Sequence, residues 1–141
     1  MRPAGVAKSR PFLDSNVVLY LLSADPVKAD RAEALLKSNP VIGVQVLNEV
    51  TSVCRRKLAM SWEDIGNFLE LVRGFCDVVP LTMEVHDRAR HLAERYQLSF
   101  YDACIVAAAE TAGCQILYSE DMNHGQILED GLIIRNPFAR D

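Results

Sequence analysis

Short apolar runs and longer amphipathic runs alternate along the chain. Apolar runs of a few residues between polar or turn-forming residues are typical of buried β-strands, and they predict strands at 11–14, 41–44, 76–81, 115–119 and 132–135. Apolar residues three and four positions apart are typical of helices, and they predict helices at 16–23, from 26 to a stop at 38–40, from 46 to about 58, and at 61–73, 82–96 and 100–112. Because helices separate the strands, we predict an α/β fold with a mainly parallel sheet of about five strands.

Capping signals support two of these helix starts. Ser61 and Ser99 each stand three residues before an acidic residue, Asp64 and Asp102, which is the spacing of a capping box. No internal repeat, low-complexity segment or linker interrupts the pattern, so we predict one domain over residues 1–141.

The composition is that of a globular protein with a substantial core. Of the 141 residues, 50% are hydrophobic and 24% are charged. The net charge of −4 provides no overall basic field, which argues against a tight, non-specific DNA-binding protein. Any contact with nucleic acid must therefore use local basic patches or metal ions.

The cysteines are dispersed and show no metal-binding spacing. They form no C-x-x-C pair, and none has a histidine at zinc-finger spacing. Cys54 and Cys104 lie in apolar helical runs, where a free thiol behaves as a small buried hydrophobic group. We therefore expect a reducing, cytoplasmic compartment.

The N-terminus has one property of a signal peptide, since basic residues (Arg2, Lys8 and Arg10) precede an apolar run. Asp14 and Asn16 interrupt that run, and no small-residue cleavage site follows it. No stretch reaches the roughly 18 apolar residues of a membrane span. The expectation is a soluble protein with no membrane contact.

Four acidic residues stand at equivalent places in the predicted α/β pattern. Asp14 ends the first strand, Glu49 stands in the first turn after the second, Asp102 begins the alanine-rich helix, and Asp121 follows the fourth strand. Strand ends of one polarity meet at one edge of a parallel sheet, so these carboxylates could share one site. Two close carboxylates repel each other by about 4 kcal/mol at an effective dielectric near 20. A hard divalent cation, Mg²⁺ or Mn²⁺, relieves such repulsion.

Each acid also has a structural explanation. Asp14 could cap the helix that follows it, and Asp102 occupies a capping-box position. Glu49 in a first turn would complement the helix dipole, and Asp121 could form an Asx-turn. Capping alone does not require four acids at one predicted rim, and this favours a shared site.

The motifs around these acids resemble those of PIN domains, and among them the VapC-type toxin ribonucleases of bacterial toxin–antitoxin pairs. The resemblance runs from Phe12 to Phe138 and places the four family acids, in chain order, on Asp14, Glu49, Asp102 and Asp121. The small polar positions that support the site fall on Asn16 and Ser119. Asn123 stands where many relatives have a further acid. The side of the site that would hold a second metal ion therefore carries less negative charge than in those relatives.

The resemblance implies a PIN-like three-layer α/β/α fold and Mg²⁺- or Mn²⁺-dependent cleavage of RNA. Asp14, Asp102 and Asp121 would be direct or water-mediated metal ligands, and Glu49 would be a ligand or would orient the attacking water. The residue chemistry agrees, because one or two cations held by carboxylates can activate water and neutralise the phosphoryl group. A metal-bound water already has a lowered pKa, so no histidine base is needed.

The resemblance also implies a cognate antitoxin, and we expect a homodimer that joins two short basic stretches beside two clefts. Possible RNA contacts are Arg55, Arg56 and Lys57 at a helix end and His124 in the loop after Asp121. For the basic triplet, a solvated helix end that complements the dipole is an equal alternative.

Two other functions compete with a nuclease. Asp14 at a strand end resembles the nucleophile of aspartyl-phosphate phosphatases, but Asn16 stands where their second acid would be. A PIN-like module that binds RNA or protein without catalysis is the other alternative. Retention of all four acids argues against it, because an inactive site has no need to keep their repulsion.

Overall fold

The structure is a computed structural model that describes residues 10–139, so Arg2, Lys8 and both extremes of the predicted domain lie outside the described residues. Five short strands form one sheet: β1 (Phe12–Leu13), β2 (Val41–Gly43), β3 (Asp77–Val79), β4 (Ile116–Tyr118) and β5 (Ile133–Arg135). Six α-helices flank the sheet: α1 (Ser15–Leu19), α2 (Pro26–Leu36), α3 (Val44–Arg56), α4 (Trp62–Phe75), α5 (Met83–Tyr96) and α6 (Phe100–Thr111).

The strand order is β3-β2-β1-β4-β5, and every pairing is parallel. The central strand β1 places Phe12 opposite Val41 on one side and Leu117 on the other. Phe12 and Leu117 are completely buried, as expected for strands covered on both faces. The predicted α/β fold with a parallel central sheet is confirmed.

The alanine-rich helix α6 lies deepest among the described helices. Its residues 103–109 are all buried, and α6 packs along the length of α5. Small side chains allow this close packing, which fixes the first turn of α6 at the edge of the sheet. Among residues 10–139, no helix combines the length and the apolar character needed to cross a membrane.

Most boundaries differ from the sequence prediction by one or two residues, and three of the differences bear on the fold or the site. The third strand ends at Val79 rather than at 81, because Pro80 has no N–H to continue the ladder. The first helix gives way to a 3-10 turn at Tyr20–Leu22. Helix α3 begins at Val44, two residues earlier than predicted, and so Glu49 lies in its second turn. The expectation that Glu49 stands in a first turn, where it would complement the helix dipole, is therefore wrong.

Candidate active site

Asp14 is the buried centre of the acidic edge. It follows β1 directly, only 2% of its surface is exposed, and its N–H donates to the carbonyl oxygen of Tyr118 at 3.0 Å. Its carboxylate caps α1 by accepting the Ser15 N–H at Oδ1, 2.7 Å away. The Ser119 hydroxyl donates to Oδ2, also at 2.7 Å. The capping role considered from the sequence is thus present, but it uses only one of the two carboxylate oxygens.

Glu49 is joined to Asp14 through a shared serine. The Ser15 hydroxyl donates to Glu49 Oε1 at 2.8 Å and lies 3.3 Å from Asp14 Oδ1. The Gln45 side-chain amide donates to Glu49 Oε2 at 3.1 Å, one helical turn earlier on α3. Ser15 and Gln45 were not among the sequence-predicted site residues. Their only sequence signals are that Ser15 adjoins Asp14 and that Gln45 precedes Glu49 by one turn.

Asp102 and Asp121 approach the same edge from two further segments. Asp102 lies half-buried in the first turn of α6, where its N–H donates to the Ser99 hydroxyl at 3.2 Å. Asp121 is exposed after β4, and its N–H donates to the Ser119 hydroxyl at 3.2 Å. Ser119 therefore links the Asp121 backbone to the Asp14 carboxylate.

The pKa shifts show that the four acids share one electrostatic environment. Burial raises the pKa of Asp14 to about 6, against the hydrogen bonds from Ser119 and Ser15, and the charges of Asp102 and Glu49 raise it further. Burial also raises the pKa of Asp102, and the charges of Glu49 and Asp121 add to this effect. Both shifts follow from desolvation and like-charge repulsion.

None of the four acids forms an ion pair with a Lys, Arg or His among residues 10–139. Carboxylate oxygens are the ligands that Mg²⁺ and Mn²⁺ prefer, so the donor chemistry fits a hard cation. Within the same residues, no three His, Cys, Asp or Glu side chains converge closely enough to hold one metal ion between them. Side-chain rotation or bridging waters would have to complete such a site.

The expected supporting residues have different surroundings. Asn16 accepts the Glu120 N–H at 3.4 Å, and its buried side-chain amide nitrogen has no hydrogen-bond partner within residues 10–139. Asn123 is exposed, and its carbonyl oxygen accepts the Gln126 N–H at 3.2 Å within the loop after β4. His124 in that loop accepts the Asn136 N–H at Nδ1, 2.9 Å away, which fastens the loop to the segment after β5.

The three basic residues at the end of α3, Arg55, Arg56 and Lys57, have different contacts. Arg55 donates to the carbonyl oxygen of Met60 at 2.9 Å, and its guanidinium lies 5.1 Å from the centre of the Trp62 ring. Arg56 and Lys57 instead line a depression of about 200 Å³ together with Ser52 and Val53. Arg55 is thereby engaged in local structure, whereas Arg56 and Lys57 face an open surface depression.

An open groove lies against the acids. Its volume is about 490 Å³, and it is lined by Gln45, Asn48, Glu49, Ser52, Tyr101 and Asp102. The groove brings α3 and the first turn of α6 together around two of the four carboxylates. It therefore gives solvent open access to this edge of the sheet.

A family model described as "PIN domain" matches residues 12–127 of the chain. A search of curated protein sequences gives no match.

Several solved structures share the fold at low sequence identity. The sarcin–ricin-loop-cleaving toxin VapC20 of Mycobacterium tuberculosis is 21% identical with a TM-score of 0.65, covering 79% of this chain and 89% of its own. A toxin–antitoxin complex of Klebsiella pneumoniae gives 16% identity and a TM-score of 0.68, and the match covers 91% of this chain and 98% of that chain. VapBC2 of Rickettsia felis, bound to promoter DNA, gives 18% identity and a TM-score of 0.64, and the match covers 89% of this chain and 97% of that chain. At these identities, the likeness demonstrates the fold alone.

Proposed function

The chain belongs to the PIN-domain family, and from this premise we propose that it is a divalent-metal-dependent endoribonuclease, the toxin of a bacterial toxin–antitoxin pair. One observation carries the proposal. The charges of Asp102 and Glu49 raise the pKa of Asp14, and those of Glu49 and Asp121 raise the pKa of Asp102. Hydroxyl groups of Ser15 and Ser119 link Glu49 and Asp121 to Asp14, and none of the four acids has a described cationic partner. A cluster of this kind is costly to the fold and is most simply explained by a bound cation.

Asp14, Asp102 and Asp121 would hold Mg²⁺ or Mn²⁺ directly or through water. When bound, the cation would supply an activated water and neutralise charge on the phosphoryl oxygens. Ser119 and Ser15 each hold one oxygen of Asp14, so this carboxylate keeps a fixed orientation even though it is buried. Fixed ligands of this type are the part of a metal site that the protein itself contributes.

Glu49 has a different position from the other three acids. Gln45 holds its Oε2 and Ser15 holds its Oε1, so both oxygens already accept a hydrogen bond. This arrangement suits an acid that orients a water by accepting its proton in a hydrogen bond. We therefore assign Glu49 to water orientation, with metal ligation as the alternative role.

The toxin assignment has support in the folds of VapC20 and of the Klebsiella and Rickettsia complexes. By extension we propose a cognate antitoxin, a homodimer, and action on RNA in the bacterial cytoplasm. Expression of the chain alone should slow bacterial growth, and co-expression of an adjoining small gene should restore it. Normal growth with accumulated intact protein would refute the toxin role and leave the nuclease to be tested separately.

The nuclease is tested by incubating purified protein with labelled RNA and Mn²⁺. Asp102→Asn should abolish cleavage, since it removes one negative charge with almost no change in volume. Asp64→Asn is a matched control, because Asp64 is an exposed first-turn acid of α4 outside the site. A folded wild-type protein that binds RNA without cutting it would favour the non-catalytic module instead.

A further inference from the structure

Tyr101 is an exposed aromatic side chain directly beside the acids. It precedes Asp102 in the first turn of α6, it lines the groove, and 64% of its surface is exposed. Residues 103–109 of the same helix are all buried. Tyr101, the more exposed of the two aromatic residues that open α6, therefore stands at the mouth of the proposed active site.

The Tyr101 ring is supported from one side. It makes an edge contact with the Phe100 ring, with 6.1 Å between ring centres and an interplanar angle of 61°. Phe100 in turn contacts the His86 ring at 5.5 Å and 67°. Edge-to-face packing of this kind orients a ring without covering both of its faces. An open aromatic face is the surface on which a nucleobase stacks.

A polar ridge leads from the acids to two cations. Asn48, Ser52 and Arg56 are spaced four residues apart on α3, so their side chains lie in one row. The groove and the smaller depression share Ser52, and this depression contains Arg56 and Lys57. From Glu49 to Arg56 the helix rises by about 10 Å. The acids and the cations are therefore separate points along one continuous surface.

We propose that Tyr101 and the C-terminal end of α3 form a subsite for an unpaired RNA nucleotide flanking the scissile phosphate. The base would stack on Tyr101, and a neighbouring phosphate would contact Arg56 and Lys57. The inference rests on the proposed ribonuclease function and adds the residues that would hold the nucleotide beside the cleaved bond. A base within a duplex has no free face to offer to Tyr101. With a net charge of −4 on the whole chain, the phosphate contact must come from such a local pair.

The stacking contact is tested with Tyr101→Ala and Tyr101→Phe. Phenylalanine keeps the ring and loses only the hydroxyl, so its KM for single-stranded RNA should stay within about twofold of wild type. Alanine should raise KM by about 5- to 150-fold with a much smaller change in kcat. In an Asp14→Asn background, RNA carrying 2-aminopurine beside the cleavage position should be quenched on binding, and the alanine variant should abolish this quenching. An excess of duplex RNA should not compete.

The phosphate contact is tested through the salt dependence of binding. The double variant Arg56→Gln, Lys57→Gln should lower the slope of log K against log salt by about 1.4, the value for two phosphate contacts on a single strand. Arg55→Gln changes the charge of an adjacent residue whose side chain is held by Met60 and Trp62, and it should leave the slope unchanged.

Wild-type KM and quenching in Tyr101→Ala, alongside normal metal-dependent cleavage, would overturn the subsite and leave the nuclease standing. A wild-type protein that never cleaves RNA would overturn both. A Tyr101→Ala variant that binds RNA normally but loses its oligomeric mass in light scattering would assign the ring to a protein contact, and this too would overturn the subsite.

Discussion

Replacing Asp14 with asparagine should make the metal-free protein more stable at neutral pH. The pKa of Asp14 rises from an ordinary value of 3.8 to about 6 in the folded state. An acid whose pKa is raised on folding destabilises the fold once it ionises, so this cost develops as the pH rises from about 4 to about 6. Above pH 6 it amounts to about 3 kcal/mol in the free energy of unfolding.

The asparagine variant removes that cost but weakens some hydrogen bonds. Asparagine has one acceptor oxygen where the carboxylate has two, so one of the Ser119 and Ser15 donors loses its partner, which should lower the free energy of unfolding by about 1–2 kcal/mol. The net gain expected at pH 7.5 is therefore about 1–2 kcal/mol, or about 3–6 °C in melting temperature. At pH 4 the gain should disappear and the variant should become slightly less stable than wild type, because Asp14 is then protonated in the folded protein and only the hydrogen-bond loss remains.

Urea unfolding followed by far-UV circular dichroism, in EDTA at pH 7.5 and pH 4, measures both values. Asp64→Asn undergoes the same chemical change at an exposed helix start, so it should be neutral or slightly destabilising at both pH values. An Asp14→Asn variant that is less stable than wild type at pH 7.5, or equally stabilised at both pH values, would refute the electrostatic reasoning.

Two further outcomes concern stability. Mg²⁺ or Mn²⁺ at a hundredfold excess over its dissociation constant should stabilise the wild type by about 2.7 kcal/mol in thermal unfolding; an equal gain in the quadruple Asp14, Glu49, Asp102 and Asp121 amide variant would place the cation elsewhere. The Glu110 side chain is only 6% exposed, and the Arg88 guanidinium contacts its carboxylate at 2.9 Å. Arg88→Ala removes this contact, so the free energy of unfolding should fall by about 2 kcal/mol at pH 7.5. Burial raises the pKa of Glu110, so the loss should shrink as the pH is lowered and this carboxylate takes up a proton; a loss independent of pH would point to packing rather than to the unpaired charge.

The order of elements was predictable because apolar periodicity reports burial directly. The alternation of runs predicted five strands with helices between them, and the common edge for Asp14 and Asp102 followed from their places at a strand end and a helix start. Boundaries were less predictable. Helix α3 begins at Val44, since β2 and the helix share one apolar run, and this moved Glu49 from the first turn to the second.

The individual contacts inside the site could not be inferred from the sequence, although the family resemblance named Ser119 as a supporting residue. Ser15 joins Asp14 to Glu49 across 34 positions, and Ser119 holds Asp14 across 105. Such pairs depend on how strands and helices pack in three dimensions, and the spacing of residues along the sequence does not report this. For the same reason the sequence predicts one basic patch at residues 55–57, although the Arg55 side chain packs against Trp62.

Metal-dependent RNA cleavage by the four single amide variants tests the central claim most directly. Protein stripped with EDTA should be inactive, and added Mn²⁺ should restore cleavage by the wild type. Asp14→Asn, Asp102→Asn and Asp121→Asn should remain inactive at any Mn²⁺ concentration or need far more of it, and Glu49→Gln should cut slowly at normal Mn²⁺ affinity. Equal cleavage in excess EDTA, or wild-type rates in Asp14→Asn and Asp102→Asn, would contradict a catalytic cation held by this acidic edge.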